Sequence, residues 1–309
     1  MNRNWEDTFG QWARPPDKRE DQRCENAIKA IREAIENSDN LKHRSLSVFP
    51  QGSYRNRVNV RQDSDVDVGV LCDESFFFNL PEGTTNETFG ISVPAIYSYS
   101  QFKNELEKAL VVHFGRGAVS RGNKAINVRE NAQYVEADVA PFFEYRDYFK
   151  NGSYLCGVAL KPDHGNRIHN YPERIHDHWP ERPLHYENGV AKNKKTHRSF
   201  KGVVRILKKV RNEMAEAPNY SAQAMPIPGF LIECMSWNVP SESFYGNTWD
   251  EKVQTVLQFL WSTIRDSSTC NDWTEVNAIK YLFHDSQPWT RDAAFAFIGT
   301  AWRYIGVRI

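Results

Sequence analysis

The residues best placed to do chemistry are carboxylates. In FPQGSYRNRVNVRQDSDVDVGVLCD, residues 49–73, Asp63, Asp65 and Asp67 occupy alternate positions just where an apolar run begins. Like charges at that spacing repel, so a positive group belongs between them. Residues two apart on a strand share a face. Asp65 and Asp67 then project together, while Val66, Val68 and Val70 bury the opposite side. Two carboxylates on a rigid strand supply the hard oxygen ligands that magnesium prefers, with waters and substrate phosphates filling the rest of its shell. A strand that merely shows its acids to solvent has the same alternation.

Neighbouring residues favour the metal. Gly52 and Ser53 directly follow a predicted strand, where a glycine lets a phosphate approach the backbone and a serine offers both an amide and a hydroxyl. The short connection to Asp65 can double back and hold a triphosphate above the ions. Downstream, VEADVAPFF repeats the device: Val135, Ala137 and Val139 lie on one face and Asp138 projects from the other. An acid flanked by buried apolar residues needs a partner.

These residues must be carried by regular elements. Residues 17–38 place Cys24, Ala27, Ile28, Ile31, Ala34 and Ile35 at the three-four spacing of an amphipathic helix. SLSVFP and DVDVGVL alternate with period two and predict strands. Residues 74–100, rich in Gly, Pro, Thr, Asn and Ser, predict a long excursion between core elements. A second helix is expected from about Ser100, with Phe102, Leu106, Leu110 and Val111 on one side, and AINVRE and NAQYVEADVAPFFEYR predict further strands. The first part therefore reads as mixed helix and strand with an antiparallel or mixed sheet. From about Asn151 to Lys195, Pro, His, Asn and Gly predict irregular connections, and beyond Thr196 the periodicity is helical. The expected division is a core over 1–190 and a helical domain over 191–309.

Composition narrows the class. The chain has 309 residues, 40% hydrophobic and 25% charged, as expected of a soluble globular protein. Its 39 basic residues balance 39 acidic ones, so it lacks the excess that non-specific nucleic-acid binding needs. Five cysteines stand singly, without zinc-ligand spacing, and read as reduced, buried thiols. The histidines at 164, 169, 176, 178, 185 and 197 read as surface or hydrogen-bonded groups. No apolar run is long enough to cross a bilayer and no apolar leader follows Met1, so a cytoplasmic protein is expected.

Gly-Ser, then Asp-x-Asp in an apolar strand, then a later lone Asp in a second apolar strand resembles the nucleotidyltransferase superfamily that includes DNA polymerase beta. The words QGSYRNRVNVRQDSDVDVGV, ADVAPFFEYR, RSFKGVVRILKKVRN and IPGFLIECMSWNVP are similar to the bacterial cGAS/DncV-like nucleotidyltransferases over most of residues 17–240. The resemblance implies an α/β core of the α+β kind with a mixed sheet, a C-terminal all-helical domain like that of oligoadenylate synthases, and an active site in the cleft between them. It assigns Asp65 and Asp67 to two magnesium or manganese ions, with Asp63 ending the preceding turn. Asp138 would bind the acceptor-side ion and help deprotonate the attacking ribose hydroxyl, and Gln51, Gly52 and Ser53 would hold the donor triphosphate.

From the helix beginning near Ser199, whose buried stripe is Phe200, Val203, Val204, Leu207 and Val210, Lys201 and then Arg205 would reach that triphosphate, with Lys208 on the same flank. One departure is Gly229, where relatives often carry a phosphate-contacting serine; its backbone amide or Ser221 would take over. The implied activity is synthesis of a cyclic di- or trinucleotide second messenger from nucleoside triphosphates, ATP and GTP foremost. A purine-containing product such as cyclic GMP-AMP is expected, in anti-phage defence, with operon-encoded regulatory and effector proteins as partners. Neutral net charge and the lack of a recognisable zinc insertion give no support to activation by DNA. A linear oligonucleotide polymerase, a non-catalytic nucleotide-binding module and a structural domain with surface acids are the alternatives.

Overall fold

The computed structural model describes residues 3–61, 65–91, 97–170 and 184–306. Asp63, His176 and His178 lie outside them. The chain runs α1 (Trp5–Trp12), α2 (Lys18–Glu36), β1 (Leu46–Gln51), α3 (Gly52–Arg55), β2 (Val66–Asn79), α4 (Tyr99–Phe114), β3 (Val119–Arg121), β4 (Ile126–Val128), β5 (Ala137–Tyr148), β6 (Tyr154–Leu160) and β7 (Ile168–Asn170). Six helices follow: α5 (Leu184–Lys195), α6 (Ser199–Glu216), α7 (Ser221–Ala224), α8 (Gly229–Asn238), α9 (Trp249–Ile264) and α10 (Arg291–Tyr304). No helix among the described residues is long and apolar enough to cross a membrane.

Contacts sort the chain into two units. One comprises Lys18–Tyr54 and Ser64–Arg182; the other comprises Met1–Asp17, Arg55–Asp63 and Pro183–Ile309. Composition suggested a single cut near residue 190, whereas α1 and the segment after α3 group with the C-terminal helices. The reason is burial: Phe9 is fully enclosed in the helical core, and Trp5 packs edge-on to Tyr304 at 5.9 Å.

The first unit is a mixed sheet in the order β1-β2-β5-β4-β3, with β6 also on β5 and β7 on β6. β2 and β5 are parallel, and β5 pairs antiparallel with β4 through its first residues and with β6 through its last. The apolar stripe of α2 is buried as its spacing predicts, and with Phe102, Leu106 and Leu110 of α4 it joins Val66, Val68, Val70 and Val139 in one core. The Ser98 hydroxyl accepts from Gln101 N–H and caps α4.

Three local expectations change. β2 continues through Asn79 into the stretch expected to be irregular, past a register shift between Cys72 and Phe76, because β5 is long enough to pair with it and Phe77 packs on Phe143 and Tyr99. The run expected to be a strand from residue 131 enters the sheet only at Ala137, after a turn in which Asn131 Oδ1 accepts from the amides of Gln133 and Tyr134. Within 151–195, β6, β7 and α5 are regular. α5 has little amphipathic signal, and side-chain bonds to carbonyls of its own unit tie it down: Asn188 Nδ2 to Val276 O at 2.7 Å and Lys192 Nζ to Val239 O.

The second unit is all helical, around α6, α8, α9 and α10, with Phe200, Leu231, Leu257 and Phe297 fully or almost fully buried. Thr248 and Glu251 form a capping box on α9, and the Thr290 hydroxyl caps α10. All five cysteines are buried and unpaired. Of the histidines named above, His169 stacks on Tyr145, His185 bonds Glu233 and His197 packs near Tyr245, while the backbone amide of His164 donates to Asn123 Oδ1.

Candidate active site

The strand register does what spacing alone could not. Gln51 of β1 is opposite Asp67 of β2, Asp67 is the partner of Asp138 on β5, and Asp138 is the partner of Asn127 on β4. One row of polar side chains therefore crosses four strands. Asp65 lies two residues before Asp67 on the same face, and the Val66 amide donates to Glu136 O at 2.9 Å, which locks β2 to β5 at this end. Val66 and Ala137 turn the opposite way and are almost fully buried, so their burial holds the acids outward.

Gly52 closes the row. It has φ +64°, and a Cβ built there would stand 1.9 Å from Asp67 Oδ2 and 2.8 Å from its Cγ. Only glycine leaves the Asp67 carboxylate beside the turn into α3, where Ser53 follows. The expected neighbours Gln51, Gly52 and Asp67 are thus brought together.

The approach to β5 is also fixed. From α2, Arg23 donates to Asn131 O and Tyr134 O and pairs with Glu130 at 2.9 Å, while Asn26 Nδ2 donates to Gln133 O. These bonds hold the turn that delivers Asp138. Cys24 on the same helix is inert: burial pushes its thiol up to about 12, with Glu20, Asp21 and Asp65 adding to the effect and Arg23 opposing it.

Among the described residues, no three acid, histidine or cysteine side chains converge on one point as they stand. The backbone nevertheless fits divalent cations. Adjacent strands run about 4.8 Å apart and positions two along a strand about 6.6 Å, so Asp65, Asp67 and Asp138 can reach a shared centre by side-chain rotation on one face. Their donors are all hard oxygens, suited to magnesium or manganese.

Lys201 and Arg205 are not on a solvated flank, and neither is Lys208. All three are buried. Arg205 donates to Ala13 O through Nε at 2.8 Å and to Arg57 O at 2.7 Å, and burial pulls its guanidinium down to about 10. Lys208 Nζ donates to Val58 O at 3.2 Å. Both therefore brace the 55–61 segment within the helical unit. Lys201 stands 5.4 Å from the centre of the Tyr186 ring, over which Arg55 also lies at 4.1 Å. Burial lowers its pKa; Glu233 opposes this, and Arg205, Arg57 and Arg55 add to it. Burial would raise the pKa of Glu233, but His185 at 3.1 Å, with Lys208 and Lys201, holds it below the usual carboxylate range. The surroundings of Lys201 are rich in positive charge and favour an anion.

At the start of α8, a Cβ on Gly229 would meet Lys208 Cε at 3.2 Å, so the missing side chain makes room for that lysine. The Ser221 hydroxyl is turned to Pro218 O at 3.5 Å. Sequence reasoning missed Asn127 and Tyr186. The alternation in AINVRE puts Asn127 on the polar face, but only the β4–β5 register brings it to Asp138.

The chain as a whole is similar to known proteins. Residues 187–306 match the model of the cGAS/DncV-like nucleotidyltransferase C-terminal helical domain. The chain is 37% identical over 307 residues to the cyclic dipyrimidine nucleotide synthase CdnE of Cecembia lonarensis, with 99% of each chain covered. It is 40% identical over 309 residues to the enzyme of the same name from Legionella pneumophila, again with 99% of each covered. Among solved structures, the Elizabethkingia meningoseptica CdnE cyclic dinucleotide synthase with GTP and Apcpp superposes with a TM-score of 0.77 at 29% identity, covering 97% of this chain and 98% of that one. The chain belongs to the cGAS/DncV-like nucleotidyltransferases. It is accordingly a nucleotidyltransferase of the cyclic oligonucleotide synthase type, from a family that works with divalent metal ions.

Proposed function

We propose that this enzyme joins two pyrimidine nucleoside triphosphates into a cyclic dinucleotide that acts as a second messenger in bacterial anti-phage defence. The observation that carries the base choice is whole-length identity of 37% and 40% to two cyclic dipyrimidine synthases. The site reading rests on the Gln51–Asp67–Asp138 row and on the Gly52 contact with Asp67.

In this reading Asp65, Asp67 and Asp138 hold two magnesium ions. When bound, these supply positive charge to the phosphoryl oxygens and to the pyrophosphate leaving group. The Gly52 backbone and the Ser53 hydroxyl hold the donor triphosphate, with Gln51 beside them. Asp138 accepts the proton of the acceptor ribose hydroxyl as that oxygen bonds to the α-phosphorus and the bond to pyrophosphate breaks. A second transfer, from the remaining hydroxyl of the linear intermediate to its own α-phosphorus, closes the ring and releases a second pyrophosphate. Lys201 supplies charge to the donor phosphates. Arg205, whose donors are spent on backbone carbonyls, supports the 55–61 segment.

A purine product is the second reading, favoured by the likeness to the Elizabethkingia enzyme, whose structure holds GTP and Apcpp. Incubation with the four ribonucleoside triphosphates, singly and in pairs with magnesium, followed by phosphatase and mass spectrometry, tests both. A phosphatase-resistant cyclic dipyrimidine is expected. A purine-containing ring selects the second reading, and linear products alone overturn the cyclisation.

A further inference from the structure

Asp138 is not held by its strand alone. The Asn127 Nδ2 on the neighbouring strand donates to Asp138 Oδ1 at 3.3 Å and to Glu136 Oε1 at 2.7 Å. An amide nitrogen carries two hydrogens, so both bonds can be made at once. Glu136 immediately precedes β5 and Asp138 is its second residue, and both reach the same Asn127 nitrogen, next to Asp67 on the paired strand. Asn127 itself is the register partner of Asp138, so the backbone ladder of β4 and β5 fixes the donor relative to both acceptors.

We infer that Asn127 is a positioning residue for nucleotidyl transfer: it holds one oxygen of Asp138, leaving the other for the cation and the acceptor hydroxyl, and keeps Glu136 from competing for that cation. The inference rests on the proposed metal-binding role of the three aspartates. Two features make it specific. The shorter and better bond goes to Glu136, the acid that has no assigned role, so the amide restrains the competitor more firmly than the ligand. Asn127 is also neutral: an acid at this position would add a further negative charge to the face, and a lysine would occupy the space of a cation. Partners that orient metal-binding carboxylates in this way typically change activity or metal affinity by about 10- to 100-fold when removed.

The test uses the full chain. In Asn127→Ala, kcat should fall by about 10- to 100-fold and the magnesium concentration for half-maximal rate should rise, while KM for nucleoside triphosphate changes by less than about threefold. Manganese binding to the protein alone, followed by electron paramagnetic resonance, should weaken in parallel. Asn127→Gln, which keeps a two-hydrogen amide nitrogen one methylene further out, should recover part of the loss. Adding Glu136→Gln to Asn127→Ala should recover part of it by removing the freed competitor, although Glu136→Gln alone has little effect. Should Asn127→Ala not fold, Asn127→Ser carries the same comparison with a shorter donor. Wild-type kcat and metal dependence in Asn127→Ala would overturn the inference, as would a loss that neither Asn127→Gln nor Glu136→Gln relieves. Asp138→Ala serves as the control: if it is as active as the wild type, the site assignment itself fails, whereas an inactive Asp138→Ala beside a fully active Asn127→Ala removes only the role of Asn127.

Discussion

Replacing Gly52 by alanine tests the geometry of the site at one atom. The residue has φ +64°, so any Cβ there carries left-handed strain of about 1–2 kcal/mol. The added carbon would lie 1.9 Å from Asp67 Oδ2, well inside the 3.0 Å below which real Cβ atoms essentially never approach another heavy atom. Asp67 cannot move with its backbone, because β2 is paired on one side with β1 and on the other with β5. The carboxylate must therefore turn away by about 1 Å, and a misplacement of that size costs about 100-fold in rate. Stability should fall only by the strain, about 1–2 kcal/mol, or a few degrees in Tm. The assay is pyrophosphate release at saturating nucleoside triphosphate and magnesium, with thermal melting on the same samples. Near-wild-type kcat with unchanged Tm would refute the placement of Asp67 against the turn. Collapse of Tm by well over 10 °C would refute the claim that the damage is local.

Two other perturbations probe the helical unit. Arg205→Ala leaves the carbonyls of Ala13 and Arg57 without their donor in a buried setting, so about 3 kcal/mol of stability should be lost, with Arg205→Lys intermediate because one ammonium matches the fork poorly. A calorimetric Tm unchanged in Arg205→Ala would show that these bonds do not hold the 55–61 segment. Lys192 is pulled down to about 8 from the ordinary lysine value of 10.5, first by burial and then by Lys195, against the opposing charge of Glu242. Between those two values the unfolded chain binds more protons than the folded one, so stability should rise with pH from about 8 upward. Below the folded value the cost of holding the charge is present in full. Lys192→Met should flatten that rise in urea midpoints measured at pH 7.5 and 9.5, and an equally steep rise in the variant would sink the assignment.

Several parts of this protein are set by short-range pattern and were legible without coordinates. The three-four spacing from Cys24 to Ile35 makes a helix with one buried face, and the six residues named from spacing are the six that are buried. Period-two alternation put Val66, Val68 and Val70 on one side and Asp65 and Asp67 on the other, because a pleated strand has no other way to bury valine. Composition could not reveal β6 or the tail of β2: their regularity comes from pairing with β5, a partner distant in sequence. Nor could it show that Arg205 and Lys208 turn inward, since a long basic chain on a helix flank reads as solvated until a backbone carbonyl from elsewhere in the fold accepts from it.

The types of the acids and their faces were thus determined by the sequence alone. Their meeting was decided by tertiary structure, because strand register is a long-range choice: β2 and β5 are joined in parallel through intervening helix and strands, and a one-residue slip would put Asp67 beside a buried position of β5 in place of Asp138. The β1–β2 and β4–β5 registers bring Gln51 and Asn127 into the row. A contact between a glycine and a carboxylate that lie fifteen residues apart then shows how closely the turn packs against it.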